Sequence, residues 1–233
     1  MSTEMPPTGR DPAAAAKLQI LATEHWSLLA TRALTYNESL SRVTIFLSIL
    51  SGAIIALALV AQVSRFGTAF VAIAIPLLAL VALTGVSTIG RLMQLNGDDY
   101  RWVMGMNRLR RAYLDLYPEL EPYFVTGSSD DLPGALRTIG YRLATTRKVG
   151  SVLHALQVLP GMLSVIVAAV VGAIGALIAL AFGASSPVVV LAAGAAFLIA
   201  MVWLTLWGRR GLRRPDPLLE PRFPSQPRPN RDS

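Results

Sequence analysis

The groups in this 233-residue chain that could do chemistry are two adjacent acid pairs, two histidines and a run of arginines. Asp98-Asp99 and Asp130-Asp131 are the candidates for holding a cation or moving a proton. Acids just ahead of a helix also have a plainer use, because a carboxylate there accepts from unpaired first-turn N–H groups and meets the positive end of the dipole. Each pair stands where a new helix is expected to begin, so all four acids are expected to be helix caps. His25 and His154 lie in different segments without a Glu-x-x-His pairing, and cysteine is absent. A zinc or di-iron centre needs more ligands converging than that, so no metal is expected. No nucleophile elbow, phosphate-binding loop or dinucleotide glycine pattern occurs, and the chain is expected to use no cofactor and to be no enzyme. Arg209, Arg210, Arg213 and Arg214 form a basic cluster suited to anionic lipid headgroups, each worth on the order of 1 kcal/mol near a charged surface. They lack the folded basic face with aromatics that nucleic acid requires.

The elements around these groups are set by where charge is missing. Residues 43–64, 66–90 and 149–208 contain no Asp, Glu, Lys or Arg. At 53% hydrophobic and 15% charged, the composition lies outside the soluble range. A helix rises about 1.5 Å per residue and the hydrocarbon core is about 30 Å thick, so roughly 20 apolar residues cross it. Residues 43–63 and 68–90 meet that test, and the link between them is short enough to force an antiparallel hairpin over 43–90. The long third gap is punctuated at Gly183-Ala184-Ser185-Ser186-Pro187, which predicts spans at 158–182 and 188–207 and a second hairpin over 151–207. The first 42 residues hold no apolar core like that of a cleavable signal, so the first span is expected to serve as a signal anchor.

Direction follows from the excess of Lys and Arg in cytoplasmic loops. The N-terminal segment holds four, the central segment nine and the tail seven, whereas the two hairpin loops together hold only Arg65. Both termini and the central segment are therefore expected in the cytoplasm, with Trp203 and Trp207 at the cytoplasmic end of the last span. No charge lies within a span, and a retained intramembrane charge is the usual mark of coupled transport. Small residues recur every four positions at Ser48, Gly52 and Ala56 and at Ala168, Gly172 and Ala176. Such stripes let helices approach closely, either within one chain or between copies.

Outside the spans, residues 13–42 predict an amphipathic helix whose apolar stripe is Ala22, Trp26, Leu29, Ala33, Tyr36 and Leu40, close to a 3.5-residue repeat. The stripe runs on into Val43 and Leu47, which lets this helix join the first span unbroken. In the central segment, 91–150, Asn96-Gly97 predicts a helix stop and Asp98 or Asp99 a new cap. The next helix carries Trp102, Met106, Leu109 and Tyr113 on one side and ends at Tyr117-Pro118. Ser128-Ser129-Asp130-Asp131 then opens a short helix to Thr138, closed by Gly140. The two stripes are expected to pack together, Trp26, Leu29 and Tyr36 against Trp102, Met106, Leu109 and Tyr113, as a small cytoplasmic helical bundle. Residues 1–12 and the basic, proline-rich tail 208–233 are expected to be disordered.

Two segments, Glu24-His25-Trp26-Ser27-Leu28-Leu29-Ala30-Thr31-Arg32 and Met106-Asn107-Arg108-Leu109-Arg110-Arg111-Ala112-Tyr113, resemble those of a family of actinobacterial integral membrane proteins, a likeness that brings no function with it. The order of cytoplasmic helix, tight membrane hairpin and further cytoplasmic helices is similar to that of SLATT-type effectors, thought to act as membrane-disrupting modules in bacterial conflict. Four spans rather than two depart from that pattern. The expectation is an all-α polytopic protein of the bacterial plasma membrane: a self-associating scaffold or regulated pore that contacts anionic lipid. The alternative is a transporter of small solutes or lipids without intramembrane charge coupling.

Overall fold

Uninterrupted apolar sequence with few backbone breakers leaves helix as the only economical way to satisfy main-chain hydrogen bonds in the gaps. The computed structural model describes residues 12–139, 159–211 and 220–225, and among these it contains helices, turns and no strand. Helix α1 spans Pro12–Ser64, α2 Thr68–Leu116, α3 Leu132–Ile139, α4 Leu159–Ala181 and α5 Ser186–Gly211, with a short 3-10 helix at Pro118–Tyr123. Four of them, α1, α2, α4 and α5, are long and apolar enough to cross a membrane. Their surfaces agree: Ile45, Ile54, Ile55, Leu59, Leu83 and Val190 are all exposed, far more apolar area than a soluble monomer carries.

α1 starts with Pro12 in its first turn, where the missing N–H costs nothing. It then runs without a break for 53 residues, about 80 Å at 1.5 Å each. α2 also passes straight through Asn96-Gly97, so the predicted stop there is wrong. Burial of Leu92 and Leu95 before it and of Val103 and Met104 after it outweighs the roughly 1 kcal/mol that one glycine costs a helix interior. As a result Asp98 and Asp99 lie inside a helix and cap nothing. α2 ends as expected beside Tyr117-Pro118. Ser64 and Gly67 close a tight turn between α1 and α2, with Gly67 N donating to Ser64 O at 2.9 Å and both Arg65 and Phe66 at positive φ. α4 ends in a Schellman motif: Gly183 at φ +71, its N–H bonded to Leu180 O and that of Ala184 to Ala179 O.

The chain divides into two units. The larger comprises Tyr36–Gly97 and Thr145–Pro215. Its core joins Val43 and Phe46 of α1, Val81 and Ile89 of α2, Leu163 and Val167 of α4 and Leu204 of α5. Gly85 is a close meeting point, since a methyl there would collide with Val167 and with Phe46. The stripe Ala168, Gly172 and Ala176 is used inside the chain, where Gly172 lies against Phe197 and the Ala193 carbonyl and Gly175 against Ala192 and Ala196. Trp203 and Trp207 stack at 5.7 Å, and the Trp207 ring covers Gly90.

The smaller unit comprises Met1–Thr35, Asp98–Ala144 and Asp216–Ser233. Val103, Met104 and Met106 of α2 are buried with Ala135 of α3, and Leu28 of α1 joins them over Gly105. The residues of α1 expected to pack here do not: Trp26 is 70% exposed, Tyr36 62% and Leu29 41%. The less exposed face of α1 is instead Leu21, His25, Leu28, Arg32, Thr35 and Ser39, the predicted stripe displaced by one residue throughout. On the α2 side Met106 is buried and Trp102, Leu109 and Tyr113 are partly so.

Candidate functional site

The charged groups that chemistry would need are engaged with one another. In the smaller unit, the Arg32 guanidinium grips Asp99 with both carboxylate oxygens, Nε to Oδ1 at 2.6 Å and Nη2 to Oδ2 at 3.3 Å. Asp98 accepts from Arg101 one helical turn on, at 3.0 Å. In the larger unit, Glu38 bridges Arg42 and Arg91 at 2.8 and 3.0 Å. Solvent reaches these pairs, whose side chains are about a third to a half exposed, and it screens their attraction so that they add little to stability.

The second acid pair behaves differently. Asp131 does cap α3, its Oδ1 accepting from Gly134 N at 2.9 Å, so that α3 begins against the carbonyl of Ser129. Asp130 caps nothing. Its side chain is wholly buried, and Arg108 Nε reaches Oδ2 at 2.7 Å. The remaining acceptor capacity is filled by the C-terminal segment: Arg222 N donates to Oδ2 at 2.9 Å and Phe223 N to Oδ1 at 2.7 Å. Phe223 O accepts in return from Asp130 N at 3.1 Å. Next to it, Asp131 Oδ2 accepts from Ser225 N at 2.8 Å and from the Ser225 hydroxyl. Arg108 Nη2 also donates to Glu220 O at 2.8 Å. Part of the tail, residues 220–225, is therefore docked and not disordered.

Buried Asn107 fixes the loop that carries these acids. Its Nδ2 donates to Ser129 O at 2.7 Å, while its Oδ1 accepts from Arg110 and from the Thr138 hydroxyl. Burial alone would raise the carboxyl groups of Asp130 and Asp131, but the donors around them outweigh it. The Arg222 amide and the Arg108 guanidinium lead at Asp130, Ser225 leads at Asp131, and both acids are held below the ordinary 3.8.

His25 is half-buried on α1. Burial first and the Arg110 charge second lower its pKa, and Nδ1 is buried without a hydrogen-bond partner, as is Trp102 Nε1. Among the described residues no three His, Cys, Asp or Glu side chains converge as metal ligands would. Arg209 is exposed at the end of α5. The Arg210 side chain, Arg213, Arg214, Gly140 and His154 lie outside the described residues. Composition hides the docked segment, because the tail reads as solvated; the one local signal is Phe223, the single aromatic in residues 208–233. The parts played by Asn107 and Arg108 carried no signal at all. No protein-family model, curated protein or solved structure matches the chain.

Proposed function

We propose that this is a non-enzymatic integral membrane protein that self-associates through its spans and serves as a membrane scaffold. The observation that carries the reading is the uncovered small-residue stripe on α1. Ser48, Gly52 and Ala56 are exposed, and a methyl built on Gly52 meets nothing within 4 Å. The matching stripe on α4 is spent within the chain, so the one on α1 is free for a second copy.

The same helices supply little for a solute to follow. Thr44, Ser48, Ser64, Thr84, Thr88, Ser164 and Thr205 each return their hydroxyl to a carbonyl of their own helix one turn back. That favours a scaffold over a transporter or a hydroxyl-lined pore. In the proposed arrangement the four apolar helices form two hairpins in a bacterial plasma membrane. The termini and a small helical bundle are cytoplasmic, and the Arg209 cluster meets anionic headgroups.

The test uses the absence of native cysteine. Gly52→Cys in lipid vesicles should form disulfide-linked dimers on mild oxidation, whereas Val63→Cys near the end of the same helix should not. Equal cross-linking at both positions removes the proposed interface. Release of an entrapped dye from vesicles carrying the unmodified protein would favour the pore instead.

A further inference from the structure

We propose that Arg108, Asp130 and Asp131 form a peptide-recognition site whose ligand is a Pro-X-X-Pro-Ser segment bent at the two X positions, and that residues 221–225 occupy it as a displaceable internal ligand. The geometry reads a main chain. Each non-proline residue from Arg222 to Ser225 donates its backbone N–H to a carboxylate: Arg222 and Phe223 to the two oxygens of Asp130, Ser225 to Asp131. Pro221 and Pro224, which have no N–H, fall at the positions where none is required. Their fixed φ flanks a bend at Arg222 and Phe223 that turns two successive N–H groups toward one carboxylate.

Recognition rests on the main chain first and on the two X side chains second. Arg222 is exposed and Phe223 is 39% exposed. Serine is read by its side chain too, since its hydroxyl adds a second bond to Asp131. The Asp130 N–H and the Arg108 guanidinium take the Phe223 and Glu220 carbonyls, so the site reads both donors and acceptors of the segment's main chain. A cation is a poor fit, because Arg108 already faces Asp130 and one oxygen of Asp131 is committed to Gly134 N.

The segment is held mainly by hydrogen bonds that water can replace, with the Phe223 ring partly covered, the kind of contact that opens locally without global unfolding. Departure leaves Asp130 and Arg108 facing each other with three carboxylate acceptor positions open, a site ready for another segment of the same pattern.

The experiment opens the site in the full chain. Arg222→Pro/Phe223→Pro removes two of the N–H donors at exposed positions, so the fold is left intact. A fluorescent peptide of residues 218–228 is then titrated against protein in lipid nanodiscs and followed by anisotropy. The opened variant should bind it at least tenfold more tightly than the unmodified protein, whose own segment competes at high effective concentration. Adding Asp131→Asn, or placing a phosphate on Ser225 of the peptide, should cost tenfold or more. Equal binding to the opened and unmodified proteins, or binding indifferent to Asp131→Asn, overturns the proposal. Asp130→Asn is the stronger variant. Should it fail to fold, Asp131→Asn and the phosphopeptide still decide.

Discussion

Asp130 is wholly buried, takes its charge balance from Arg108, and shows the exposed main chain of residues 222 and 223 where to sit. Its worth depends on ionisation. A carboxyl whose pKa is lowered on folding stabilises above its unfolded value and loses that contribution as pH falls through the folded one. Asp130 and Asp131 both lie below 3.8 when the segment is docked. Amide exchange at Arg222, Phe223 and Ser225 should therefore stay slow from neutral pH down to about 4 and accelerate below it, once the base-catalysed rate is divided out. Gly134 makes the second prediction at this scale. A methyl there would strike the carbonyl of Ser129 and lie 2.8 Å from its Cβ, and main chain cannot swing aside as a flexible side chain can. Gly134→Ala should destabilise the smaller unit by about 1–3 kcal/mol, the usual cost of overpacking, measured as a lower denaturant midpoint for the near-ultraviolet signal of Trp102.

At the scale of elements, α2 turns a weak sequence signal into a test. Gly97 is helical with open space around it, so Gly97→Ala should stabilise by about 0.5–1 kcal/mol through reduced freedom of the unfolded chain. A loss of stability in the same melt would mean that the helix needs a break there. The long helices were legible because hydropathy alone specifies them, and so was the 3.5-residue repeat of α1. Its phase was not. The packed face includes His25, Arg32, Thr35 and Ser39, and a reading by apolarity favours Trp26 and Tyr36 over residues whose partners, such as Asp99 for Arg32, lie some seventy positions away in sequence. The acid pairs failed for the same reason. Asp131 caps a helix by a local rule, whereas the roles of Asp99 and Asp130 depend on long-range partners that no local spacing announces.

For the whole molecule, the segregation of charge into the N-terminal, central and tail segments is the sequence feature that survives intact, and it accounts for four helices long and apolar enough to cross a membrane. Between hydrocarbon-facing helices the hydrophobic effect offers nothing extra, so association must come from close packing of small residues. α4 packs Gly172 of its stripe, and Gly175 beside it, on α5; among the described residues the stripe on α1 is exposed. Substitution at Gly52 therefore separates folding from assembly, since a Cβ added there has no neighbouring atom within 4 Å beyond its own helix backbone. The most direct measurement is the stoichiometry of singly labelled protein in dilute lipid bilayers, by stepwise photobleaching, for the unmodified chain and Gly52→Leu. The scaffold account predicts mainly two or more bleaching steps for the former and mainly one for the latter. A single step for both, or no change on Gly52→Leu, would contradict it.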